Sequence, residues 1–251
     1  MAAVVRVDFG VEWTSDGPAA GTSCSFQALP ANWSVASAVI NTARSFGHVE
    51  KFVWGNADAW ASDYEHPERV STGDSLNMID NTHLMYFVDH GATEIGIAFA
   101  SNHFNCLARY ANMRLGVRRL RWLVLDTCGA VSDNPNVDTS VMRTWSAPTD
   151  GDAAHPLQAL HVLCAFVGLS YPGIDSNRGA EFLTAVSRGT AVGPAWLDAA
   201  FARSGSAVNR PVAISPGNSS ANASARLNNS RLADRDAGPA PATHLAWMWR
   251  G

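Results

Sequence analysis

The chain has 251 residues and a mass of 26.7 kDa, of which 47% are hydrophobic and only 16% charged, with a formal net charge of −4. That length fits one large α/β domain, and the apolar content excludes a disordered, solvating segment. Arginines are scattered except for Arg118, Arg119 and Arg121, which leaves no broad basic face for nucleic acid.

In chain order, residues 4–11 alternate and are rich in valine, which predicts a first strand. Residues 33–46 place Val35, Val39, Ile40, Ala43 and Phe46 on one face and stop at Gly47, the pattern of an amphipathic helix. Short apolar runs at 49–54, 83–88 and 122–125 read as buried strands, and 105–117 has helical spacing through Leu107, Tyr110, Ala111 and Leu115. The valine and phenylalanine of 160–169 favour a further strand, residues 178–187 and 193–202 favour helices, and 244–249 a last strand. Strands alternating with helices imply parallel βαβ units, hence a three-layer α/β/α sandwich around a mostly parallel sheet of about six strands. The tracts 132–155 and 204–241 carry little periodicity. The first is expected to be a substrate-facing loop and the second a flexible flap, linker or insertion within a single domain spanning 1–251. Three Asn-x-Ser matches in the second tract are given no function.

No run approaches the ~20 apolar residues of a membrane span. The N-terminus lacks a basic segment followed by an apolar core, so a cytoplasmic protein without a membrane partner is expected. Cys24, Cys106, Cys128 and Cys164 are widely spaced and form no CxxC pair, which favours free thiols over a disulfide framework or a zinc site.

Chemistry concentrates in two blocks, Phe87-Val88-Asp89-His90-Gly91-Ala92 and Leu123-Val124-Leu125-Asp126-Thr127-Cys128-Gly129-Ala130, each presenting a reactive side chain where an apolar run stops. A free thiol with a pKa of ~8.5 is only partly ionised near neutrality, so a neighbouring imidazole activates it by taking its proton. In an open α/β sheet, ligands gather at the carboxyl ends of the strands. His90 and Cys128 fall at such ends, and the amides of Gly91 and Cys128 are candidate donors to an oxyanion. By the same placement Glu12, Trp13, Trp54, Asn56, Asp126 and Tyr171 are candidate substrate-binding residues, whereas His161 belongs at the opposite edge in a structural role.

A strand ending in His-Gly, one helix, then a strand ending in Asp-Thr-Cys resembles the caspase-like cysteine peptidases, the group of caspases, legumains, gingipains and separases. The blocks at 54–64 and 160–166 further resemble an uncharacterised bacterial branch of that fold, and the resemblance covers roughly residues 4–203. It implies a caspase-like sheet, His90 as the catalytic histidine, Cys128 as the nucleophile, and no metal or organic cofactor. Where caspases carry Gln-Ala-Cys-Arg-Gly this chain has Asp126-Thr127-Cys128-Gly129-Ala130, so a preference for cleavage after Asp is not implied. The expected activity is cysteine-dependent acyl transfer on a peptide or small acyl substrate, with hydrolysis first. A transpeptidase or ring-closing cyclase is the alternative outcome, and a non-catalytic binding module the rival class.

Overall fold

The computed structural model describes residues 5–16, 24, 26–133, 136–145, 156–173, 176–202, 209–236 and 242–251. Ten strands and five α-helices are distinguished among them. They are β1 (Asp8–Trp13), α1 (Ala31–Ser45), β2 (Val49–Gly55), β3 (Leu84–Val88), β4 (Gly91–Ala92), β5 (Gly96–His103), β6 (Asn105–Arg109), β7 (Trp122–Asp126), α2 (Val137–Trp145), β8 (Val162–Val167), α3 (Arg178–Ser187), α4 (Val192–Phe201), β9 (Arg210–Gly217), α5 (Ser220–Asn229) and β10 (His244–Trp249).

Seven strands form the central sheet in the order β10-β9-β8-β7-β3-β1-β2. The five from β8 to β2 are parallel, while β9 runs antiparallel to both β8 and β10. The alternation of side chains assigns each strand to two cores at once. Val7, Phe9, Val11, Tyr86, Val88, Trp122 and Val124 meet helices α1, α3 and α4, while Met85, Phe87, Leu123, Leu125 and Leu163 meet the opposite layer. Buried on both faces, these strands read as continuous apolar runs, which is why they are easy to find in the sequence. The architecture is the three-layer α/β/α sandwich expected.

Three features depart from expectation. Between β3 and β7 the chain makes no helix over 105–117 but a three-stranded antiparallel sheet, β4-β5-β6, ending in a 3₁₀ turn at Tyr110–Asn112. The helical spacing there is coincidental: Ile97, Phe99 and Ala108 are buried in the second core, and Cys106 is bridged to Cys24. Residues 204–241 are not a flap throughout, since β9 and α5 lie within them. Pro211 and Pro216 disguise β9 as a non-strand, and α5 buries only Ala223 and Leu227, with Ser219 capping its start by accepting from the Asn222 amide. Finally, α2 lies inside the tract 132–155 expected to be loop; residues 134–135 and 146–155 of that tract fall outside the described residues.

The other sequence-based elements coincide with β1, α1, β2, β3, β7, β8, α3, α4 and β10 to within a few residues. Among the described residues, no helix is long and apolar enough to cross a membrane.

Candidate active site

β3 and β7 are hydrogen-bonded neighbours, and Val88 pairs with Asp126 at their carboxyl ends. His90 and Cys128 each lie two residues beyond that pair, so the register sets the two reactive side chains on one edge of the sheet. A close backbone approach fixes the arrangement. A Cβ on Gly91 would overlap the Cys128 carbonyl oxygen, so only glycine lets the two blocks touch.

His90 is held from its far side. Its Nε2 lies 2.7 Å from the Gln27 carbonyl oxygen, and the Phe26 ring stacks on it with centroids 5.8 Å apart. A carbonyl can only accept, so Nε2 carries the proton, and in the neutral ring Nδ1 is the basic nitrogen. The segment bearing Phe26 and Gln27 is anchored by a disulfide between Cys24 and Cys106 on β6, with Cα atoms 5.5 Å apart. The expectation of free thiols thus fails for this pair and holds for Cys128 and Cys164. The bond is of the kind that persists in oxidising compartments.

The Cys128 sulfur is half-buried. It accepts from the Ser170 amide at 3.3 Å and lies 3.5 Å from the Ser170 carbonyl oxygen. Burial pushes the thiol pKa above its ordinary value, opposed by the Ser170 N–H; the Asp126 charge adds to the rise and Arg178 opposes it. Among the described residues, no hydrogen bond joins Cys128 to His90. Among the described residues, the Gly91 and Cys128 amides have no acceptor. The Ala98 N–H donates to the His90 carbonyl, which makes Gly91 and Ile97 a non-hydrogen-bonded pair, so the Gly91 N–H is turned away from β5. The Cys128 N–H likewise has no acceptor among the described residues.

Beneath the thiol lies a network that the sequence did not disclose. Asp126 and Arg178, both fully buried, form a two-pronged ion pair through Arg178 Nε (2.9 Å to Oδ2) and Nη2. Tyr86 Oη donates to Asp126 Oδ2 at 2.6 Å, Ser170 Oγ to Oδ1 at 3.1 Å, and Arg178 Nη2 to Ser170 Oγ at 2.7 Å. Both Asp126 oxygens are therefore committed. Asp126 positions Ser170, and through it the sulfur, and is not the substrate-binding residue expected. Tyr171, 43% exposed, lies at the rim, its amide donating to Asn209 Oδ1 at 2.9 Å. With Asp126 it is the substrate-contact candidate that stays near the thiol.

The family model described as "Domain of unknown function (DUF6345)" matches residues 11–251. The chain belongs to the DUF6345 family. No curated protein matches it. The DUF6345 match takes in both blocks of the candidate site and the strap from Cys24 to Gln27.

The remaining candidates of this DUF6345 chain belong to β1, β2 and the turn after β2; β1 is two strand positions from β7, with Trp13 paired to Val88 of β3. β2 is three strand positions from β7, about 14 Å at the usual spacing. Trp13 packs on Trp33 (5.0 Å between centroids) and fills the space that a Cβ on Gly55 would need. Asn56, at φ +56°, latches two loops: its Oδ1 accepts from the Ser15 and Asp16 amides (2.8 and 3.1 Å), and its Nδ2 donates to Asp16. Trp54 packs at a tilt against Phe52 and Trp60 under the β2 edge. His161 is buried as expected, between Ser230 and the Asp236 carbonyl.

Glu12 is a correction of a different kind. Facing the second core from β1, it is fully buried beside Asp63 and Tyr64, without a hydrogen bond of proper geometry to either. Burial first, then the Asp63 charge, raises its pKa well above the carboxylate range. Burial likewise pushes Asp63 up to about 7, opposed by the Trp60 N–H and the Ser62 hydroxyl that donate to it. A folded pKa above the unfolded value means stability that is full below pH ~4 and lost as pH rises through about 7. The titratable groups facing Asp63 are Glu12, Tyr64 and Asp74. Asp63→Asn is therefore expected to gain stability relative to the native chain as pH rises from 4 to 8, on the order of 2 kcal/mol at the upper end. Paired urea titrations at each pH measure it, and a gain independent of pH would count against the burial argument.

Proposed function

We propose that the protein is a cysteine-dependent acyl-transfer enzyme, a caspase-like peptidase or hydrolase acting on a peptide or small acyl substrate. The observation that supports this reading is the close approach of Gly91 to the Cys128 carbonyl, with the Gly91 and Cys128 amides lacking an acceptor among the described residues and an imidazole whose tautomer is set by Gln27. As the substrate carbonyl enters, His90 Nδ1 takes the thiol proton and Sγ attacks the carbonyl carbon. The oxyanion receives the Gly91 and Cys128 N–H groups. His90 returns the proton to the leaving amine, which departs and leaves a thioester. Water then attacks, His90 again taking a proton, and the acid is released with Cys128 regenerated. A thiol held above its ordinary pKa is mostly protonated at rest, so ionisation coupled to substrate entry fits this site better than a standing thiolate.

Thiol labelling and product masses test the reading. Iodoacetamide is expected to modify Cys128 faster as pH rises from 6 to 9 and to spare Cys164, which is fully buried. His90→Ala is expected to lower turnover of peptides or activated acyl esters by about 10²–10⁴-fold. Cys128→Ala is expected to stay folded and lose all turnover. Products heavier by one water establish hydrolysis. Turnover that survives Cys128→Ala sinks the proposal.

A further inference from the structure

On the face of the sheet opposite α1, a cleft of about 400 Å³ opens beside the β2 edge. Its wall is a run of rings. Trp54 lies 6.5 Å from Trp60, Trp60 stacks on His103 at 3.9 Å and 15°, and His103 meets Phe104 edge-on at 4.3 Å. Its polar groups include the carboxyls of Asp63 and Asp74, and no lysine or arginine lines it. Asp63 is 2% exposed, and Glu12, wholly buried, stands behind it. Among the described residues neither carboxyl has a basic partner.

Phe104 adds an independent observation. It forms the tip between β5 and β6 at φ +71°, a backbone region that aromatic residues rarely occupy, and its side chain is 64% exposed. A strained backbone that turns a large apolar ring into solvent beside a cleft is a feature of ligand clamps. Aromatic faces carry negative potential and attract cations, most strongly at tryptophan. Rings on the walls and a buried carboxyl without a counter-charge at one side together select a ligand with an apolar or flat body and a positive head. A metal ion is a poorer fit, since among the described residues no three His, Cys, Asp or Glu side chains converge as ligands.

We propose that this cleft binds an organic cation, a protonated amine or guanidinium-type group, whose N–H groups donate to Asp63 while its body packs against the ring wall formed by Trp54, Trp60, His103 and Phe104. The cleft lies at the far end of β5 from His90, so this site is separate from the thiol and does not depend on its chemistry. The shared chemistry fits a free amine or the basic side chain of a peptide.

Benzamidine, its neutral isostere benzamide, and a short lysine- or arginine-bearing peptide are the probes, titrated into the whole chain at pH 8 and monitored by calorimetry and tryptophan fluorescence. Benzamidine is expected to bind saturably and at least tenfold more tightly than benzamide. Asp63→Asn, a variant expected to be more stable than the native chain at that pH, loses at least tenfold in benzamidine affinity. Phe104→Ala, altering an exposed tip, weakens it severalfold while iodoacetamide labelling of Cys128 is unchanged. Tighter binding of the peptide than of benzamidine assigns the cation to a polypeptide; the reverse order assigns it to a free amine. Equal binding of benzamidine and benzamide, no binding of any cation, or full affinity in Asp63→Asn overturns the proposal.

Discussion

Arg178→Ala is expected to lower unfolding free energy by about 3–5 kcal/mol, because it leaves the Asp126 carboxylate buried without its counter-charge. Both side chains are wholly inaccessible, and Asp126 would keep only the Tyr86 and Ser170 hydroxyls as donors. The guanidinium also lies over the Phe166 ring at 4.7 Å, so its removal opens packing as well as charge. The loss of a paired charge differs from the loss of the pair. Replacing both partners with neutral groups of similar size, Asp126→Asn with Arg178→Met, is expected to recover much of that loss, since burying two ions itself costs several kcal/mol. Urea unfolding of the two single variants and the double variant measures the cycle. A loss below about 1 kcal/mol for Arg178→Ala would show that water reaches the pair and that the network does not hold Ser170. A further consequence falls on the thiol: Ser170 is oriented by Asp126 and Arg178 and donates its amide to Cys128 Sγ. The Arg178→Ala chain, kept folded at low temperature, is therefore expected to show an altered Cys128 labelling rate even though residue 178 does not touch the sulfur.

The two blocks that carry the candidate chemistry were legible because parallel strands buried on both faces are compact apolar runs, and the residues just past each run sit at the sheet's carboxyl edge. The register of Val88 with Asp126 then does the rest for His90 and Cys128. Arg178 had no such signal. It sits in the first turn of α3, where an arginine is ordinarily solvated, and no local pattern distinguishes one that points under the sheet. Phe26 and Gln27 were hidden for a related reason: they belong to an irregular segment, and the contact to His90 spans 63 residues of sequence. Glu12 and Trp54 were correctly placed at strand ends but assigned to the wrong face or the wrong end of the sheet. Position along a strand is readable from composition, whereas strand order is not, and β2 at the edge separates Trp54 from the thiol. The helix expected over 105–117 failed because Leu107, Tyr110, Ala111 and Leu115 match a helical period by chance, while Ile97, Phe99 and Ala108 satisfy a pleated surface over the second core.

Removing the Cys24–Cys106 bridge is expected to cost about 4–5 kcal/mol in the chain-entropy description, since it closes a loop of 82 residues that the unfolded chain would otherwise explore freely. The cost has a local share that bears on the site. With the bridge gone, the ties of the described residues from Cys24 to Leu29 include the Leu29 amide to the Ser15 carbonyl at 3.0 Å, the Asn32 amide to the Leu29 carbonyl at 2.9 Å, the Gln27 carbonyl to His90, and the stack of Phe26 on that ring. The Gln27–His90 contact is exposed, whereas β3 and β7 of the sheet are buried, so the segment is expected to open before the sheet does. β6 itself remains paired to β5 through Ala98↔Leu107 and Ile97↔Ala108, which confines the disturbance to the strap. Once Gln27 releases Nε2, the imidazole is free to move its proton between nitrogens, and the basic Nδ1 is no longer enforced. Cys24→Ala with Cys106→Ala is therefore expected to melt about 10–20 °C lower, to exchange its Leu29 amide faster, and to lose turnover by more than its remaining stability explains. Thermal unfolding, hydrogen exchange and turnover on the same variant separate these effects. An unchanged melting temperature would deny the bridge its stabilising role. Faster exchange at Leu29 with undiminished turnover would show that His90 keeps its proton arrangement without Gln27.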